Sequence, residues 1–170
     1  MGTTEMRGAA PGPSVPAQAA ALAVLLAVAF GSALIGVLAS PDTAGEYARL
    51  VRPAWAPPAF VFGPVWAVLY TAIALAGWLV WRRRALRGAA LGLFAGQLLL
   101  NALWTPLFFA AGLRGAALVD IVVLLALITA TAAVFRRSSP VAALLLVPYW
   151  AWVAFATALN AATWWLNRGT

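Results

Sequence analysis

From Arg52 the chain runs to Arg82 without another charge: RPAWAPPAFVFGPVWAVLYTAIALAGWLVW, closed by Arg82, Arg83 and Arg84. A helix that crosses the hydrocarbon core of a bilayer needs roughly 20 consecutive apolar residues, and a soluble core helix needs no such length. Pro53, Pro57 and Pro58 stand ahead of the run, where they shape a loop and fix a first helical turn. Pro64 has no N–H to give to the carbonyl of Phe60, so a bend is expected there. The stretch reads as a loop folding into a bent membrane helix whose start is lined with aromatic rings.

The whole chain has this character. It is 65% hydrophobic and 9% charged, where soluble domains carry about 25% charged residues. An integral membrane protein is the reading that fits. The net charge of +7 comes from arginine alone. A basic balance can signal nucleic acid, but these arginines fall in short clusters between apolar runs, as the positive-inside rule places them. No nucleic-acid partner is expected. Cysteine and histidine are both absent. That removes disulfides, thiolate nucleophiles, zinc sites and haem ligation through His or Cys, so no metal site is expected.

Taken in order, residues 1–16 are rich in Gly and Pro and read as a disordered tail. Residues 17–167 form one all-α unit, a five-helix transmembrane bundle. Its spans are expected at about 17–39, 58–81, 88–110, 116–135 and 141–166. Within the loop Ser40–Pro58, Tyr47 and Leu50 fit one apolar side of a short helix. Five spans put the termini on opposite sides. Arg7, Arg82, Arg83, Arg84, Arg87, Arg136 and Arg137 lie on one side, and Arg49, Arg52, Arg114 and Arg168 on the other. That balance favours a cytoplasmic N-terminus. No internal repeat is visible, which weighs against an inverted-repeat transporter.

Polar side chains inside spans are few and face protein or water. Gln97, Asn101, Trp104 and Phe108 share one face of the third span. They read either as interhelical hydrogen-bonding groups or as one wall of a ligand pocket. Pro106 frees the carbonyl of Ala102 nearby. Asp120 is the one acid within a span; pairing with Arg114 or hydrogen bonding is favoured over a proton or ligand site. Tyr149, Trp152, Ala156, Leu159 and Thr163 share a face of the fifth span, which Pro148 should bend near its start. Trp78, Trp81, Trp164 and Trp165 fit interfacial belts. Trp66, Trp104 and Trp152 lie away from span ends, each within four residues of a proline. They fit a flat aromatic pocket for a planar, mostly apolar guest. Gly88, Gly92 and Gly96 make two small-xxx-small steps, read as a homodimer seam or as packing within one chain.

Four stretches then stand out together: RPAWAPPAFVFGPVWAVLY at 52–70, GQLLLNALWTPLFF at 96–109, ALVD at 117–120 and VPYWAWVAFATALN at 147–160. They resemble the TspO/MBR family, which includes the translocator and tryptophan-rich sensory proteins and is also known as the peripheral-type benzodiazepine receptors. The resemblance spans all five helices. It implies a five-helix membrane bundle, with a pocket covered by the first loop, in a bacterial cell membrane. It implies porphyrin, haem and benzodiazepine-type or isoquinoline ligands, with no required cofactor, and a sensing or regulatory role or transport. It also implies light-dependent breakdown of protoporphyrin, with Trp66 and Trp152 at the positions of the two tryptophans involved. Pocket positions carry over onto Trp55, Asn101, Trp104, Ala156 and Leu159, with Pro57 and Pro58 from the loop. The glycine seam resembles a dimer contact. There are two departures. Ala116 stands where animal members have tryptophan, which should widen or soften that wall of the pocket, and Ala161 stands where the C-terminal cholesterol motif needs tyrosine, so cholesterol is not the expected natural ligand.

Overall fold

The computed structural model describes residues 12–168. Most of the expected N-terminal tail, Arg7 included, lies outside the described residues. All the spans are helical. Helix α1 is Val15–Ala39, and Pro16 sits in its first turn. A short α2, Thr43–Arg49, follows inside the loop. A 3₁₀ turn at Ala59–Val61 leads into α3, Phe62–Arg82. Helix α4, Ala89–Thr105, runs on as a π turn over Pro106–Ala110. Then come α5, Arg114–Ser138, α6, Pro140–Leu145, and α7, Val147–Leu166, the last two forming the fifth span. Five segments are long and apolar enough to cross a membrane.

The prolines act according to where they fall in their helices. Pro64 lies in the first turn of α3, directly after a change from 3₁₀ to α winding at Val61–Phe62. Pro106 starts a wider winding instead. The Ala111 N–H reaches back to the Pro106 carbonyl at 2.8 Å, the long reach of a π turn, and the Leu113 N–H reaches one residue further still, to Leu107 at 2.9 Å. Pro148 cannot donate to Leu144, and the fifth span is interrupted at Leu146, between α6 and α7. The fourth span extends beyond its expected bounds at both ends.

The spans close into a ring. Helix α1 packs on α3 and α4, α4 on α5, α5 on α6 and α7, and α6 back on α3. Along α7 the contact with α3 is sparse, because the interruption at Leu146 turns α7 away. Small residues allow the close crossings. A Cβ on Gly36 would stand 3.1 Å from the Thr105 side chain, and one on Gly77 3.0 Å from the Phe94 ring. In lipid such close approach, rather than apolar burial, drives helix association. One end of the bundle carries the loop, the π turn and the end of α7. The other carries the start of α1, the α3–α4 turn and the α5–α6 turn.

Candidate functional site

The loop is fastened over its end of the bundle. Tyr47 of α2 is buried, and its hydroxyl donates to the Pro57 carbonyl at 2.8 Å. The Arg52 guanidinium lies 4.6 Å over the Tyr47 ring. Arg49 pairs with Asp42 at 3.1 Å and with Glu46, which holds α2 together. The Asn167 side-chain amide bridges to the loop in both directions. It accepts from the Val51 N–H at 3.1 Å and donates to the Val51 carbonyl at 2.9 Å.

Beneath the loop runs a chain of rings. Trp55 meets Phe155 at 5.7 Å between centroids, Phe155 meets Trp152 at 5.5 Å, Trp152 meets Phe62 at 5.8 Å and Phe62 meets Tyr47 at 5.4 Å. A second group lies one turn deeper. Trp66 stacks on Tyr70 at 5.3 Å and meets the Tyr149 ring edge-on at 6.3 Å. Phe62, Trp66 and Tyr70 are spaced four apart, so one face of α3 supplies all three. Trp55 is 51% exposed and forms the outer rim.

Below the rings is a polar layer. The Asn101 amide donates to the Tyr70 hydroxyl at 3.1 Å. Tyr149 is fully buried. Four groups here keep buried polar atoms without a hydrogen-bond partner: Gln97 at both its amide oxygen and nitrogen, the Asp120 Oδ2, the Tyr149 hydroxyl and the Trp152 indole N–H. Asp120 makes no ion pair with Arg114; the ion pairs among the described residues are those of Arg49. An orphaned buried polar group costs about 1–3 kcal/mol, so four in one region is an unusual concentration.

The remaining expected positions spread around this core. Trp104 stacks on Phe108 at 5.0 Å, and its indole N–H donates to Asn160 at 3.0 Å. Leu159 is buried and Ala156 is half-buried against the core. Pro58 is exposed and precedes the 3₁₀ turn. The half-buried Trp66, Trp104 and Trp152 all pack on the core rather than pointing into lipid. Of these three, Trp152 lines an apolar groove of about 630 Å³ between α3 and α7, with Pro64, Val65, Leu69, Pro148 and Phe155 among its walls. Gly88 precedes α4 as its N-cap, with φ of 52°. Gly92 has open space at its Cβ position, and Gly96 faces the Leu127 side chain. Phe62, Tyr70, Phe155, Asn160 and Asn167 were not singled out from the sequence. The four-residue spacing on α3 would have found Phe62 and Tyr70.

This arrangement offers flat ring faces, an apolar groove between α3 and α7 and unpartnered donors and acceptors. Among the described residues no cluster of His, Cys, Asp or Glu could hold a metal ion. The TspO/MBR family model matches residues 23–166, covering every element named above except the first turns of α1. The chain belongs to the TspO/MBR family. The human Translocator protein is 41% identical over 163 residues, covering 92% of this chain and 93% of that protein. Tryptophan-rich protein TspO of Chlorobaculum tepidum is 41% identical over 82% of this chain and 90% of its own length. Tryptophan-rich sensory protein of Cereibacter sphaeroides is 37% identical over 79% and 84%. This TspO/MBR member is thus an integral membrane protein that matches these three relatives over 84–93% of their length.

Proposed function

We propose that this protein binds a flat tetrapyrrole, a porphyrin in the first place, beneath the loop, and acts as a membrane sensor or regulator of that ligand. The observation that carries the reading is the coincidence of stacked rings with orphaned buried polar atoms. The rings supply π-faces for a planar apolar body. Gln97, Tyr149, Trp152 and Asp120 supply the complement to pyrrole N–H groups and propionates. The groove between α3 and α7 gives an apolar approach from the bilayer and falls in the size range of small-molecule sites. With no His or Cys in the chain, the donor set suits a metal-free macrocycle better than haem. Trp66 and Trp152 both belong to the ring assembly, which favours photo-oxidative porphyrin breakdown as the second reading. The arginine balance supports a cytoplasmic N-terminus, and the open Gly92 position supports a homodimer through α4.

The test is tryptophan fluorescence quenching by protoporphyrin in detergent, in the dark and then under illumination. Trp152→Phe and Tyr149→Phe each remove a hydrogen-bonding group while keeping a ring. Each should weaken binding roughly tenfold, the equivalent of about 1.4 kcal/mol. Unchanged affinity in both variants would move the guest elsewhere. Pigment loss under light no faster than in detergent alone would dismiss the second reading.

A further inference from the structure

The ring assembly is closed in two different ways. On the loop side it is tied down. The Tyr47 hydroxyl donates to the Pro57 carbonyl, the Asn167 amide bonds Val51 in both directions, and the Arg52 guanidinium lies over the Tyr47 ring. On the side between α3 and α7 the packing is sparse, and rings meet across the gap: Phe62 with Trp152, and Trp66 with Tyr149. The gap has a cause in the sequence. Pro148 has no N–H for the Leu144 carbonyl, the span is interrupted at Leu146, and α7 diverges from α3 beyond it.

The apolar groove of about 630 Å³ occupies this gap. Leu69, 3% exposed, is its floor, and Val68, 67% exposed, stands at its lip with Pro64, Pro148 and Ala151. These residues lie inside the spans Ala59–Arg82 and Pro140–Leu166. The lining is aliphatic, proline and aromatic throughout, so the open side of the groove meets hydrocarbon. Trp152 and Phe155 belong to this groove and also to the chain of rings beneath the loop. They are the partition between the two spaces, and the partition is lightly held. The Trp152 indole N–H has no hydrogen-bond partner, and Phe155 meets Trp55 and Trp152 ring to ring. Turning either side chain breaks no hydrogen bond.

We infer that the flat guest enters and leaves sideways, from the hydrocarbon through the α3–α7 groove, with Trp152 and Phe155 as the gate and the loop shut throughout. The inference rests on the porphyrin reading and adds to it the route and the form in which the guest arrives, dissolved in the bilayer rather than in water. Along the groove an apolar guest never leaves an apolar medium. Beneath the loop it moves only after the contacts of Tyr47, Arg52 and Asn167 have parted. Side-chain rotations are far faster than the opening of a fastened loop, so the gate is the lower barrier. A loosened loop adds a second way out and does not replace the first.

The experiment is stopped-flow tryptophan quenching by protoporphyrin, on the full chain in lipid nanodiscs. Val68→Phe with Ala151→Phe fills the groove from two exposed positions. This double variant should slow association and dissociation together, each by roughly fivefold or more, and leave the equilibrium affinity where it was, because a blocked route raises one barrier for both directions. Ala151→Phe alone should slow both rates by less. Val122→Phe adds a ring at an exposed position of α5 and should leave both rates unchanged. Wild-type rates in the double variant, with binding intact, overturn the side route and leave the porphyrin reading standing. So does an equal slowing by Val122→Phe. A weaker affinity at an unchanged association rate makes the groove part of the resting place and overturns its role as a passage. Wild-type protein that shows no quenching at all removes both readings.

Discussion

Asn160 and Gln97 are both uncharged amides buried among apolar helices, and their surroundings give them opposite worth. Asn160 accepts from the Trp104 indole at 3.0 Å and donates to the Arg114 carbonyl at 3.0 Å, joining α4, the start of α5 and α7. Asn160→Leu strands two half-buried partners and should cost about 1 kcal/mol or more, read as a lower thermal midpoint in detergent. Gln97 has no partner at either amide atom. Gln97→Leu should raise the midpoint of the ligand-free protein and weaken porphyrin binding. A rise with no loss of affinity would mean that the guest never uses the amide. The sequence placed Gln97 and Asn101 on one interior face because polar groups avoid lipid. It could not separate the satisfied one from the unsatisfied one. The hydroxyl that answers Asn101 belongs to Tyr70, 31 residues away on another helix, and spacing along one helix carries no trace of it.

At the level of elements, three prolines with similar neighbours have three outcomes, decided by distance from a helix start. Pro64 is absorbed in a first turn, Pro106 widens the winding into a π turn, and Pro148 accompanies the interruption between α6 and α7. The length of an apolar run marks a span but not the place where its winding changes, which falls just ahead of Pro64. The loop shows the same limit. Its short helix was legible from Tyr47, while Leu50, expected on the same side, falls just past the helix end in extended backbone. Its fastening to Asn167 was not, because that contact bridges 116 residues. Asn167→Ala removes both bonds to Val51. Hydrogen exchange at residues 43–58 should then quicken severalfold, and porphyrin should dissociate faster while helix content stays constant. Unchanged exchange would show that Tyr47 and Arg52 hold the loop without help.

For the molecule as a whole, the number of spans follows from hydropathy and bilayer thickness alone. Their order around the ring does not, because a lipid-facing Leu and a helix-facing Leu are equally apolar and pattern no longer separates inside from outside. Gly36 and Gly77 mark real crossings, yet nothing in their sequence context set them apart from Gly92, which faces open space. That open position carries the dimer expectation. Gly92→Leu should leave single chains after crosslinking in membranes, and a persisting dimer would put the seam on another face. The ring also has an order of assembly. Its closing joint sets the second span against the fifth, and the α7 side of the ring assembly, with Tyr149 and Trp152, belongs to the last of these five spans to be made. Until that final segment has entered the bilayer, a growing chain can thread four helices and still lack the wall that completes its aromatic assembly.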